Sequence, residues 1–484
     1  MDSSCHLVSP NRDQSITGSG LRDGYGARTK RTCASVGPGR IPPSENARGY
    51  TRSRDVEPLS TTCDVLRLFH VSTAHSGLHA SNGVSAGSKV EVMTAIANFA
   101  NHLPVKIRFG EGVASTLPAI LGEIGVTRIF LMVDEGIERF NPAAAELLAR
   151  LLSNGDLVVT RFDKPAAEPT IDMVDDATQA LTTSGAGAVV ALGGGSVIDT
   201  AKAARLCSQL GMGFRDFLAS SPGYPAPTVP LIAIPTSAGT GSEVSGGSVV
   251  SDPETGRKNG IANANLRAQY ALVDPTLTYS MPPTMTANTG IDALAQAIAG
   301  MVAKVRTPIG DGIALEAIRM MSPALVAAYR DGTDTVARAA MSCGSMMAGL
   351  AMNISDCTSE HSLGQAIGGV KHVPHGLTIG LVLAETLERE RTHVPEILER
   401  VADAMGAPDD GTRDGSRCVR AVRTILADLD FPILSSLDFT EDDLDGLADL
   451  ALADYFITMS PVTWTKAEVI AAFAAALSLE TRAA

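Results

Sequence analysis

The chain has few aromatic residues, no long apolar run and no closely paired cysteines. Phe, Trp and Tyr make up 4% of its 484 residues, with a single Trp. No apolar stretch reaches the roughly 18 residues that span a bilayer, and the first residues lack the compact apolar segment of a signal peptide. The seven cysteines are scattered, unlike those of disulfide frameworks or zinc sites. We therefore expect reduced thiols, a cytoplasmic location and no membrane partner.

Basic residues are also in deficit, because 39 Lys and Arg stand against 53 Asp and Glu, for a net charge of −14. An acidic chain is a poor partner for nucleic acid or for an anionic membrane surface, so we expect neither. Apolar residues make up 45% of the chain, enough for a large core. At about 150 residues per domain, the length predicts two or three domains.

Residues 1–92 differ in composition from the rest. They contain eleven basic and eight acidic residues, are rich in Ser, Gly, Arg and Thr, and show no sustained periodicity. Such a segment buries too little apolar surface to offset the entropy cost of ordering it, which predicts a disordered leader. The alternative is a start site assigned too far upstream, with Met93 as the real first residue.

Residues 93–281 have the pattern of an α/β domain. Continuous apolar runs alternate with helix-like stretches, which is typical of βαβ units in a parallel sheet. The turn signal DPETG at 252–256 predicts an additional hairpin. The predicted strands are Ile129–Val133, Leu157–Phe162, Ala188–Leu192, Leu231–Ile234 and Ala271–Val273, and the predicted helices are Pro142–Leu152, Ile171–Thr183 and Ile198–Leu210.

Residues 282–484 show helical patterns only, so the fold class is an N-terminal α/β domain followed by an all-α domain. The helices predicted here are Ile291–Val305, Gly312–Tyr329, Thr335–Met352, His393–Met405 and Thr440–Ala453.

Two loops follow predicted strands and have the composition of a nucleotide site. Gly193-Gly194-Gly195-Ser196 precedes a helix, whose free N–H groups suit a pyrophosphate, although a sharp strand-to-helix turn is the alternative. Residues 235–243 cluster hydroxyls and glycines after the next strand. Asp134 ends a third strand, where a carboxylate suits a ribose diol and repels a 2′-phosphate, or is simply a solvated loop acid.

A second group of residues has the chemistry of a metal site. Asp292 opens a helical stretch, and His361 and His375 lie within a cluster of histidines downstream. One carboxylate and two imidazoles suit a divalent metal, whereas helix capping and ordinary structural roles are the alternatives.

Taken together, these motifs resemble the iron-containing (group III) alcohol dehydrogenase family of the dehydroquinate synthase-like superfamily. The resemblance runs from about Lys106 to the C-terminus. It rests on GGGSVIDTAK at 193–202, PTSAGTGSEV at 235–244, DPETGRK at 252–258, VDPTLTYSMPP at 273–283, DALAQAIAG at 292–300 and EHSLGQAIGGVKHVPHG at 360–376.

The resemblance implies a Rossmann-like NAD-binding N-terminal domain, a helical metal-binding C-terminal domain and a role for each matching residue. Gly194, Gly195 and Ser196, with Gly193 in the same loop, would hold the NAD pyrophosphate. Lys258 would reach the nicotinamide ribose, and Asp134 the adenosine ribose. The cleft-lining residues would be Thr236, Ser237 and Thr240, and the metal-ligand positions Asp292, Gln296, His361 and His375.

Two positions depart from the family pattern. Gln296 stands where the fourth metal ligand is usually a histidine, and Gln365 where the family often has a histidine linked to proton relay. An amide oxygen is a weak, neutral ligand, so iron and zinc both stay open. Three-ligand Asp/His/His sites occur in the related glycerol dehydrogenases, usually with zinc.

The sequence therefore predicts a metal-dependent, NAD-linked oxidoreductase that interconverts a small alcohol and its aldehyde or ketone, as a homodimer or larger homo-oligomer. The metal would act as a Lewis acid on the substrate oxygen, and the proton would leave through water, ribose hydroxyls or His372. Two alternatives stay open: a dehydroquinate-synthase-like lyase that uses NAD transiently, and a non-catalytic nucleotide-binding relative.

Overall fold

The computed structural model describes residues 98–255 and 257–478. The leader predicted over residues 1–92 lies outside the described residues, and so does Gly256 in the predicted turn. No helix among the described residues is long and apolar enough to cross a membrane.

The N-terminal half is built on a six-stranded sheet in which every pair of neighbouring strands is parallel. Its strand order is β1-β8-β5-β4-β2-β3. The strands are β1 (Lys106–Phe109), β2 (Arg128–Asp134), β3 (Val158–Lys164), β4 (Ala188–Gly193), β5 (Leu231–Pro235) and β8 (Tyr270–Val273). The remaining two, β6 (Gly247–Ser251) and β7 (Lys258–Ala262), form the predicted antiparallel hairpin.

The central strands are buried on both faces, which explains their continuous apolar runs. In β2, Phe130 and Met132 pack on one side of the sheet, while Leu131 and Val133 pack on the other. The flanking helices are α1 (Leu117–Glu123), α2 (Ile137–Phe140), α3 (Pro142–Leu152), α4 (Ile171–Ser184), α5 (Gly195–Leu210) and α6 (Phe214–Ser220).

The chain order across the sheet reverses between β2 and β4. After β2 the chain adds β3 on one side, then returns past β2 to place β4, β5 and β8 on the other. Ligands of open α/β sheets bind beyond the carboxyl ends of the strands at such a reversal. The ends of β2, β4 and β5 carry Asp134, the glycine loop and the loop at 235–243, so the fold brings the predicted nucleotide residues to one edge.

The C-terminal half is helical among the described residues. Its main helices are α7 (Pro283–Val302), α8 (Pro308–Arg330), α9 (Thr335–Ser355), α10 (Ser359–Lys371), α11 (His375–Glu390), α12 (Pro395–Ala404), α13 (Ser416–Asp428), α14 (Leu444–Leu452) and α15 (Lys466–Ala476). One apolar core joins helices α7, α8 and α9, and a second joins α10 with α14 and α15. The predicted boundary between the two domains, at 281/282, lies just before the start of α7. This domain division stays a prediction.

The helical predictions needed several corrections. Helix α7 begins at Pro283 rather than Ile291, since proline suits the first turn of a helix, where its missing N–H costs nothing. The expected helix at Thr440 begins as a short 3-10 turn at Glu441–Asp443 and becomes α14 at Leu444. Helices α10, α11, α13 and α15 had not been predicted.

Candidate active site

The glycine loop forms the tight turn between β4 and α5. Gly194 is the N-cap residue, and no side chain caps the helix, so the first N–H groups of α5 stay available. A Cβ atom on Gly195 would lie 2.5 Å from Oγ1 of Thr240, too close for any side chain. The absence of side chains therefore lets the two loops touch and leaves a helix N-terminus open for a phosphate.

Asp134 lies against this loop. Its Oδ2 atom accepts the backbone N–H of Gly194 at 3.1 Å. Burial raises the pKa of its carboxyl group, although the Gly194 bond and the charge of Lys164 act in the opposite direction. The predicted ribose carboxylate and the predicted pyrophosphate loop are therefore direct neighbours.

The loop at 235–243 lies beside the glycine loop, as expected. The backbone N–H of Thr236 donates to the carbonyl oxygen of Gly193 at 3.0 Å. Ser237 Oγ would lie 3.6 Å from a Cβ atom on Gly194. The structure thus brings Thr236, Ser237 and Thr240 together with Gly193–Ser196 at one sheet edge.

Lys258 connects this edge with the helical half. Its Nζ atom donates to Glu168 Oε1 at 2.8 Å and would lie 3.5 Å from a Cβ atom on Gly368 of α10. The charges of Lys258 and Glu168 both act on the imidazole of His375, with opposite signs. Lys258 therefore faces the histidine cluster, and Glu168 is a neighbour that the sequence analysis missed.

The predicted metal ligands meet at the junction of α7, α10 and α11. The Nε2 atoms of His361 and His375 each lie 3.7 Å from Oδ1 of Asp292. The side chains of Asp292 and His361 are buried, whereas that of His375 is 33% exposed. These three residues are one of two groups of possible metal ligands within the described residues.

A glycine sets the position of His375. His375 is the first residue of α11, and Gly376 follows it. A Cβ atom on Gly376 would lie 2.0 Å from the backbone oxygen of Asn288 in α7. Only glycine lets the start of α11 press against α7, which brings His375 to Asp292.

The donor set fits a divalent cation. Asp292 Oδ1 and Gln296 Oε1 are buried and have no hydrogen-bond partner among the described residues. A buried oxygen without a partner is costly, and a cation bound beside the two imidazoles would satisfy Asp292 Oδ1. Gln296 follows Asp292 by one turn of α7, and its amide helps to lower the pKa of the Asp292 carboxyl group.

The protonation states of Asp292 and His375 suit a metal, whereas a metal would displace a proton from His361. Burial acts to lower the pKa of His361, but Cys357, Asp292 and Glu360 outweigh it and raise that pKa well above its ordinary value. Burial opposes ionisation of Asp292, but the nearby imidazoles of His361 and His375 outweigh it and lower the pKa of the carboxyl group. Burial lowers the pKa of His375. A carboxylate and a neutral imidazole are the forms that bind a metal.

Two further sequence-predicted positions lie near the cluster. Gln365 is half-buried in α10, one turn after His361. His372 ends α10 in a left-handed backbone conformation (φ 51°), and its side chain is exposed. The predicted role of His372 in proton release therefore stays a prediction.

Sequence comparison places both halves of the chain in one family. Residues 104–275 match the family model described as iron-containing alcohol dehydrogenase. Residues 286–477 match the C-terminal model of the same family.

Individual proteins of this family are also similar to the chain. The chain is 31% identical to "Choline dehydrogenase" of Bacillus subtilis, over 76% of this chain and 91% of that protein. It is 34% identical to "Probable alcohol dehydrogenase EutG" of Escherichia coli, over 73% and 88%. A solved structure of sulfoacetaldehyde reductase from Bifidobacterium kashiwanohense in complex with NAD+ is 27% identical, with a TM-score of 0.73, and covers 79% of this chain and 100% of that one. The chain belongs to the iron-containing alcohol dehydrogenase family.

Proposed function

We propose that Asp292, His361 and His375 hold the divalent metal with which this oxidoreductase interconverts a small alcohol and its aldehyde or ketone. Membership of the family shows NAD-linked alcohol and aldehyde oxidoreduction with iron. The observation that supports this ligand set most strongly is the pair of unpartnered buried oxygens on Asp292 and Gln296, beside two converging imidazoles.

The metal, when bound, supplies Lewis-acid polarisation of the substrate oxygen, and the nicotinamide accepts or donates the hydride. The chain's own residues position these groups. Asp292 and His361 are buried and fixed, whereas the partly exposed His375 marks the open side by which substrate enters. Gln296 supplies a neutral amide oxygen and cannot act as a general base.

NAD would lie across the edge formed by β2, β4 and β5. The free N–H groups at the start of α5, those of Gly195 and Ser196, would bind the pyrophosphate, and Gly193 and Gly194 would let it approach the backbone. Thr236, Ser237 and Thr240 would line the cleft. Asp134 would accept from the adenosine ribose and repel a 2′-phosphate, which favours NAD over NADP. Lys258 would reach the nicotinamide ribose from the hairpin, and the exposed His372 would pass the proton to solvent.

Iron is the metal of the family, and we propose zinc as the second metal that this three-ligand site accepts. We further propose a homodimer or larger homo-oligomer and a cytoplasmic location. The alternative lyase and non-catalytic readings have no support among the named relatives, which are dehydrogenases and reductases.

The test is net NADH formation from alcohols by the full chain, stripped of metal and then reloaded with Fe²⁺, with Zn²⁺ or with neither. The panel needs cationic, neutral and anionic alcohols, because the relatives' names include both choline and sulfoacetaldehyde. We expect turnover only in the reloaded protein, and with NAD in preference to NADP. Equal rates in the stripped protein, or NAD binding without net NADH, would refute the proposal.

A further inference from the structure

A buried carboxylate that the proposed reaction does not use lies behind His361. Glu360 precedes His361 in α10, and the two side chains are 4% and 5% exposed. Oε1 of Glu360 lies 2.7 Å from Nδ1 of His361. The carboxylate also accepts the backbone N–H of Thr358 at 3.2 Å and contacts the Thr358 hydroxyl through its other oxygen. Three contacts therefore fix its orientation.

The two ring nitrogens of His361 face different carboxylates. Nε2 is the atom that lies near Asp292, whereas Nδ1 faces Glu360. An ionised carboxylate can only accept hydrogen bonds, so the proton between Glu360 and His361 belongs to Nδ1. In the neutral ring the lone pair is then on Nε2 and points toward Asp292.

We propose that Glu360 is a positioning residue for the metal site. It holds His361 in the tautomer and ring orientation in which Nε2 binds the metal, and its negative charge makes that nitrogen a stronger donor. The inference rests on the ligand role of His361 proposed above. The neutral amide of Gln296 is the weakest of the proposed ligands. A stronger imidazole donor on His361 compensates for it in part.

The competing explanation is a purely local one. Thr358 is the N-cap residue of α10, and Glu360 accepts its backbone N–H, as acidic side chains do in the first turn of a helix. A cap stabilises the start of the helix whether or not a metal is present. A positioning residue changes the affinity for the metal itself, so the two roles can be separated.

The two variants compared are Glu360→Gln and Glu390→Gln, the second being a control for the loss of a buried carboxyl group rather than for the loss of charge. In Glu360→Gln the new amide oxygen can still accept the Thr358 N–H, so the cap is kept while the charge is lost. Glu390 is an equally buried carboxyl group near α10, but it accepts from the hydroxyls of Ser359 and Ser460 rather than from a ligand histidine. Each variant would be compared with the wild-type full chain by competition for Zn²⁺ against a chromophoric chelator.

We expect Zn²⁺ affinity to fall about 10- to 100-fold in Glu360→Gln and to be unchanged in Glu390→Gln, with the metal-free thermal midpoint of Glu360→Gln near that of the wild type. Unchanged affinity in Glu360→Gln, or equal losses in both variants, would overturn the inference. A wild-type protein that binds no Zn²⁺ would instead refute the proposed metal site itself.

A second measurement needs no variant of Glu360. Nitrogen-15 NMR of the zinc-loaded wild-type protein, with the His361 signals assigned by comparison with His361→Asn, reports which ring nitrogen carries the proton. We expect a protonated Nδ1 and a zinc-bound Nε2. The reverse assignment would overturn the role of Glu360 even if the Glu360→Gln protein fails to fold.

Discussion

Gln296 is the residue in which the site departs most from the family pattern. Its side chain is buried one helical turn after Asp292, and its Oε1 atom has no hydrogen-bond partner among the described residues, so an oxygen is available to a cation. Imidazole is a better ligand than an amide for iron and zinc. We therefore expect Gln296→His to slow metal loss to a chelator by at least about tenfold, an effect of roughly 1.4 kcal/mol. Elemental analysis during dialysis measures the rate of metal release. Release from Gln296→His at the wild-type rate would show that this position does not face the metal.

We expect the buried Glu390 to make the stability of the metal-free protein depend on pH. Burial and the charge of Glu360 raise the pKa of its carboxyl group from about 4.5 to about 8. The folded state therefore keeps a proton that the unfolded state releases, and the free energy of unfolding falls as pH rises from about 4.5 to 8. By pH 7 the loss is on the order of 3 kcal/mol.

Glu390→Gln mimics the protonated carboxyl group, so it should remove this slope and raise stability above neutral pH. Urea unfolding of the metal-free protein at several pH values measures the effect. The control is Glu388→Gln, at a partly exposed position that pairs with Arg391, and it should retain the slope. An unchanged slope in Glu390→Gln would mean that Glu390 is ionised in the folded protein at neutral pH.

At the scale of elements, the glycine loop can be tested with two neighbouring substitutions. A Cβ atom on Gly194 meets only Ser237 Oγ, at an ordinary 3.6 Å, whereas one on Gly195 meets Thr240 Oγ1 at 2.5 Å. We expect Gly194→Ala to keep the wild-type thermal midpoint and to weaken NAD binding, because the added methyl group stands where the pyrophosphate approaches. Gly195→Ala should lower both the midpoint and NAD affinity. Calorimetric NAD titration and thermal melts check this, and wild-type NAD affinity in both variants would contradict a phosphate role for the loop.

The sequence predicted strands better than helices, for a physical reason. Strands β2, β4 and β5 are buried on both faces and so appear as uninterrupted apolar runs. β1 was missed because its four residues, KIRF, are mostly exposed at the sheet edge and carry no such run. Helix α10 was missed because three glycines lie within its 13 residues, and tertiary packing overrides their low helix propensity.

At the scale of the whole molecule, the leader is predicted to be dispensable. Both family matches lie within residues 104–477, and every predicted site residue falls inside them. A chain that begins at Met93 should fold, bind NAD and retain the activity of the full chain per mole of bound metal. Loss of soluble protein on this truncation, judged by size-exclusion chromatography and thermal melting, would show that residues 1–92 contribute to the fold.

The metal site could be predicted from the sequence only in part. The resemblance to a family located Asp292, His361 and His375, which are up to 83 positions apart in the chain and meet only in the folded helices α7, α10 and α11. No local pattern indicated Glu168 or Glu360, because their importance depends on contacts with Lys258 and His361. The adjacency of Glu360 to His361 was the one signal available, and helix capping explained it equally well.

The most direct test of the account is to measure metal content and NAD affinity together in His361→Ala, His375→Ala and His393→Ala. His393 is an exposed histidine that contacts Arg389 and Thr392, so its variant is the control and should keep metal, NAD binding and turnover. We expect the other two variants to lose bound metal and turnover while NAD affinity stays near the wild-type value, because the pyrophosphate loop lies on the parallel sheet and the histidines lie on helices α10 and α11. Stoichiometric metal and full activity in His361→Ala would contradict the account.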